Sequence, residues 1–244
     1  MAAEPVFDWR RSDRRLYFVI AISFALVVLI GFGPTYYLKF AFDNPPVKSY
    51  LVHLHGLVMT LWVLFFASQV WLIRTKRHRV HMNLGMIGVA LAILIMVVGF
   101  FTAAGSAKFG SASTPPNIPP LSFFIVPLTD LVMFAGLFTA AIIYRKSPAA
   151  HKRLMLLTVL NFLPPALGRI QIPQMQAAGP LFIFGVPTLA AIVLISLDTW
   201  QNGKLNRPFL IGALILIASY PLRIVISGTE TWLSFAAWIT TWAA

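Results

Sequence analysis

Apolar runs of about twenty residues follow one another along this chain, cut apart by short links that hold most of its charge. A bilayer core of about 30 Å takes about 20 helical residues, and only helices and closed barrels satisfy their backbone there. Of the 244 residues, 59% are hydrophobic and only 11% charged. A soluble domain carries roughly 25% charged residues, spread over every element. The pattern predicts an all-α fold: a polytopic transmembrane helical bundle of about seven spans, forming a single integral membrane domain over 1–244. The spans fall at approximately 16–38, 51–73, 83–104, 121–143, 152–171, 180–198 and 208–227. The fifth is irregular, because Pro164 and Pro165 must bend or end its helix and Arg169 follows. The last segment, Glu230 to Ala244, is too short to span comfortably. Trp232, Phe235, Trp238 and Trp242 recur along it, which predicts a short interfacial helix lying on the outer face.

The links alternate in charge. On the side of the N-terminus lie Arg10, Arg11, Arg14, Arg15, Arg74, Lys76, Arg77, Arg79, Arg145, Lys146, Lys152, Arg153, Lys204 and Arg207, which are 14 of the 19 basic residues. The other side holds only Lys39, Lys48, Lys108, Arg169 and Arg223. By the positive-inside rule the N-terminus is cytoplasmic. Four arginines before a long first apolar run, with no small-residue cleavage site, predict a retained signal anchor instead of a cleaved signal peptide. The net charge of +12 does not call for nucleic acid, since insertion and anionic membrane lipids already account for these basic links. The chain has no cysteine. That excludes disulfides, thiolate-held iron–sulfur clusters and covalently attached haem. It also shows no flavin or nicotinamide fingerprint.

All five histidines sit at helix entrances. His53 and His55 open the second span on the outer side; His78 and His81 open the third, and His151 the fifth, on the cytoplasmic side. Each suits a polar interface without further purpose. As a set they say more, because His81 and His151 share a membrane depth. Below His81, at helical spacing, come Gly85, Gly88 and Ala92, which leave room for something flat against the backbone. Close helix–helix packing uses small residues the same way. A haem between two helices would need the same stripe, with its ligating histidine at the end. Ser147 and Pro148 are suited to start the fifth helix, placing His151 in its first turn. Arg74, Arg77, Arg79, Lys152 and Arg153 are then candidates to pair with haem propionates, or serve the topology signal alone. Gln69 and Trp62 share the face of His55 and Met59, a stripe suited to a quinone or haem pocket or to ordinary packing.

The stretch from His55 to Gly88, HGLVMTLWVLFFASQVWLIRTKRHRVHMNLGMIG, resembles the cytochrome b561-like group of small bacterial b-type membrane cytochromes, and related multi-pass membrane families. That group opens one helix on a histidine, runs to a short basic turn and opens the next helix on a second histidine. The resemblance implies haem b with His81 and His151 as the iron ligands, near Gly85, Gly88, Arg77 and Arg153. It makes His55 one member of a second pair. Its partner should open the fourth helix, but the sequence there, PPLSFFIVPLTD, has no histidine, so one haem or none is implied. The resemblance further implies electron transfer in the bacterial inner membrane, with another membrane protein or a quinol as redox partner.

Asp130 lies near the middle of the fourth span. A bare carboxylate there costs roughly 3 kcal/mol on insertion scales and more in simulations. It must be protonated or partnered, and Asn161 and Arg169 on the fifth span are the candidates. Other readings remain open. One is a haem-free accessory, structural or assembly subunit of a respiratory or photosynthetic complex. Another is a small transporter or metal-dependent membrane enzyme using Asp130, or using His78, His81 and His151 as metal ligands.

Overall fold

The computed structural model describes residues 11–44, 47, 49–110, 114–115 and 117–243. Arg10, Lys48 and Ala244, used above for loops and terminus, lie outside the described residues. Among the described residues every regular element is helical. Six segments among them are long and apolar enough to cross a membrane: Arg15–Tyr37, Tyr50–Arg74, His78–Phe109, Pro120–Lys146, Pro173–Asn202 and Arg207–Ile226. They correspond to six of the seven expected spans.

The first segment joins α1 (Arg11–Phe32) to a π-helical turn, Gly33–Tyr37. The second is α2 (Tyr50–Arg74), capped by the Ser49 side chain. The third, α3 (His78–Phe109), has 32 residues, about 48 Å at 1.5 Å per residue. It overshoots the expected 83–104 span at both ends, starting at His78 and running on to Phe109. Hydropathy marks where the hydrocarbon stops, whereas a helix runs on into water until something breaks it. The fourth segment starts as one turn, α4 (Pro120–Phe123), and continues as α5 (Ile125–Ile143). In α8 (Pro173–Asn202), Gly179 adopts φ 50° and ψ −127° just before Pro180. Only glycine takes that conformation freely, and the expected 180–198 span begins at this break. The sixth segment is α9 (Arg207–Ile226), followed by α10 (Glu230–Thr240).

The expected span at 152–171 is not one helix. It forms α6 (Pro148–Asn161, 14 residues) and the short α7 (Leu163–Leu167, 5 residues). Pro164 and Pro165 lack the amide protons needed to carry α6 onward, so the chain breaks at Phe162. Every residue from Leu156 to Pro164 is buried. Around this pair, α1, α2, α3, α5, α9 and α8 are neighbours in that order, and α7 packs on both α1 and α8. The least regular segment is thus the axle of the bundle.

Side-chain contacts fix which links share an end. His81 meets His151, Lys152 lies over Tyr17, Arg74 over Phe18, and Arg153 binds Asp198. The start of α1 and the α2–α3, α5–α6 and α8–α9 links therefore gather at one end. At the other end Arg169 lies over Phe32 and His53 meets Tyr36. The α6–α7 pair runs from the first end to the second. Close approach makes this possible: a methyl group at Gly31 would stand 2.1 Å from the Ala166 carbonyl oxygen.

Candidate cofactor site and two buried ion pairs

His81 and His151, 70 positions apart, come ring to ring at the α6 entrance, with centroids 6.4 Å apart and planes at 76°. The His151 Nδ1 pairs with the Ala141 carbonyl oxygen at 2.8 Å. A protonated Nδ1 donating there fixes the tautomer and leaves Nε2 with its lone pair free to ligate. The His81 Nδ1 is buried and has no hydrogen-bond partner among the described residues. Both amide atoms of Gln69, on α2, are likewise buried and unpartnered, as is the Trp62 Nε1. Unpaired buried polar atoms are uncommon and each needs an explanation; here they mark the stripe of α2 that faces the interior.

Beneath His81 the two glycines differ. A Cβ at Gly85 would meet nothing within 4 Å, whereas one at Gly88 would stand 2.6 Å from the Phe65 ring. The expected groove is open for one turn and then closed by Phe65, which the α2–α3 hairpin lays across Gly88. Further down, Val89, Ala92 and Met96 of α3 face Phe134, Phe138 and Thr139 of α5 across an apolar crevice of about 220 Å³.

The cationic candidates also separate. Arg153 is not directed toward the histidines: its Nε and Nη2 bind Asp198 at 2.8 and 2.5 Å, and its Nη1 donates to the Ala149 carbonyl. Asp198 lies 45 residues on, in the last turns of α8, where an acid at the end of a span draws no notice by sequence. Arg77, at the N-cap of α3, is exposed. His78 begins α3, but no group of three or more His, Cys, Asp or Glu able to hold a metal forms among the described residues, so His78, His81 and His151 do not assemble a three-ligand centre. His55 is half-buried in the second turn of α2.

Asp130 is buried and partnered. Its carboxylate binds the Arg223 Nη1 at 2.5 Å, bridging α5 and α9. Exposures of 4% and 2% place both in the interior. The Arg223 Nη2 also donates to the Ser219 hydroxyl at 3.2 Å, and its guanidinium lies 5.2 Å from the Tyr220 ring centre. Asn161 contributes as expected by depth, but through the backbone: its Nδ2 donates to the Asp130 carbonyl oxygen at 2.9 Å. Arg169 is not the partner. It donates to the Pro165 carbonyl at 2.8 Å and lies over Phe32. By sequence Arg223 counts among the outer-side charges; Ser219 and Tyr220 one turn before it are the available sign of a polar face on α9.

No family model, curated protein or solved structure matches the chain.

Proposed function

We propose that this chain is a b-type haem membrane protein of the bacterial inner membrane that transfers electrons, with one haem held by His81 and His151. The observation that carries this reading is the 6.4 Å separation of the two rings. Metal–imidazole bonds are short, about 2.0–2.1 Å for zinc, so two rings at this spacing could both reach one metal ion held between them. Two histidines from helices with no local reason to meet stand at that spacing.

The residues present fit the group in three further respects. Ala141 holds His151 in a tautomer that can ligate. His81 and Gln69 carry buried polar atoms without partners among the described residues. Gly85 leaves the first turn below His81 clear. Arg153 is committed to Asp198, so pairing with propionates falls to exposed Arg77 and its neighbour Arg79. Two histidine ligands would leave no open iron position, which favours electron transfer over oxygen chemistry. With no flavin or nicotinamide fingerprint, electrons come from a membrane protein or a quinol. In this reading α6–α7 is a seventh crossing and the N-terminus is cytoplasmic, as the basic links require.

The test is a reduced-minus-oxidised spectrum of the protein purified from haem-replete cells. A reducible Soret band is expected. His81→Ala and His151→Ala should each abolish it, and His53→Ala should leave it unchanged. A colourless protein that melts cooperatively would reject the cytochrome reading in favour of a haem-free accessory subunit.

A further inference from the structure

At the end of the bundle remote from His81, α10 folds back against α3 and α4. The Trp232 Nε1 donates to the Leu121 carbonyl at 2.9 Å, and Trp232 and Ala236 pack with Ala103, Ala104, Ala107 and Phe124. The Lys108 Nζ donates to the Ala243 carbonyl at 2.7 Å, tying down the chain after α10. Between these contacts runs an open groove of about 350 Å³, lined by Ala107, Lys108, Leu121, Ala237, Thr240 and Thr241.

Among the described residues Lys108 is the only charged one on that lining, and none of them brings an acidic side chain to it there. One of its three N–H bonds goes to Ala243, leaving two for another acceptor. The Thr240 and Thr241 hydroxyls are both spent on carbonyls of their own helix. Phe101, Val97 and Leu94 lie 7, 11 and 14 positions before Lys108, which puts them on its face of α3. They are 40%, 49% and 41% exposed, so a ladder of exposed apolar side chains descends from the cation. Beside the groove Trp238 and Trp242, 54% and 57% exposed, supply the amphipathic rings that settle at headgroup depth.

We propose that this groove binds one anionic glycerophospholipid. Its phosphate sits at Lys108, its headgroup lies between α3 and α10, and one acyl chain follows Phe101, Val97 and Leu94 into the bilayer. A single lysine over an apolar ladder selects for net negative headgroups, because a choline would bring a second cation to the same place. The site is independent of the haem reading.

Native mass spectrometry of the full-length protein, delipidated and then offered equimolar phosphatidylglycerol and phosphatidylcholine with identical chains, tests this. The wild type should retain one phosphatidylglycerol under conditions that strip phosphatidylcholine. Lys108→Gln should lower that preference about fivefold, the effect of one lysine at an anionic surface. Because Lys108 also anchors Ala243, Ala237→Trp is the second variant. It keeps the lysine and fills the groove, and should lower retention as much while melting like the wild type. Equal retention of both lipids by the wild type would overturn the proposal. So would a folded Ala237→Trp protein that keeps the wild-type preference.

Discussion

Asp130 and Arg223 stand 93 residues apart and share one contact of 2.5 Å in the interior. Attraction at that distance is strong in a medium of low dielectric constant, but both ions have lost their water, so the pair adds little net stability. Its weight shows when one partner goes. Asp130→Ala should destabilise the protein by about 3–5 kcal/mol, because Arg223 is left buried and uncompensated. The double variant Asp130→Leu with Arg223→Met should recover most of that loss. Unfolding in a denaturing detergent series reads both, and a single variant as stable as the wild type would show that the pair is dispensable. Asp198→Ala should act in the same direction on Arg153, more weakly because Asp198 is 14% exposed in its side chain. The sequence announced Asp130, since an acid in mid-span is rare, but did not announce its partner. Arg223 lies three residues before the end of α9 and reads as a loop charge. Only the packing of α9 on α5 turns it inward. The same limit hid Asp198 from Arg153, whereas His81 and His151 could be matched in depth because both open helices on the same side.

At the scale of elements, the dipeptide Pro164–Pro165 foretold a broken helix but not its place in the bundle. A helix keeps its lipid-facing side apolar, whereas one surrounded by protein carries polar groups on any side where neighbours satisfy them. α6 carries His151, Arg153, Thr158 and Asn161, polar groups beyond the prolines and Arg169 that make this span irregular in the sequence. Each of the four finds a partner: Ala141, Asp198, the Met155 carbonyl and the Asp130 carbonyl. Reduced hydropathy was the trace of a central position, legible only once the surrounding helices are in place. The contact of α7 with α1 depends on Gly31, where any side chain would collide with the Ala166 backbone. Gly31→Val should therefore cost about 1–3 kcal/mol through forced displacement, seen as a lower melting temperature. Gly85→Ala, with nothing within 4 Å of the added methyl, should leave melting unchanged. If that variant nonetheless weakens the Soret band, the open turn serves a bound group.

The whole molecule makes its clearest statement through its ends. Links that share basic residues also share an end of the bundle, an agreement between composition and packing that neither alone enforces. Single cysteines in this cysteine-free chain check the orientation. Ser147→Cys, exposed in the α5–α6 link, should resist an impermeant thiol reagent in intact cells, while Asn117→Cys, exposed at the opposite end, should react. Labelling of Ser147→Cys would invert the topology. Six long helices and their order were legible in the sequence, because hydrophobic length is a local property; the ring they form was not, because it depends on which faces meet. The separation of Asp130 from Arg223 carries a consequence for biosynthesis. At about 5–20 residues per second, the ribosome delivers Arg223 about 5–20 s after Asp130. During that wait the carboxyl group has no guanidinium to meet, and α6, with Arg153 awaiting Asp198, is no better provided. The nascent chain must hold its own axle at the edge of the bilayer, or hold Asp130 as the neutral acid, until the last crossing arrives to close the bundle around it.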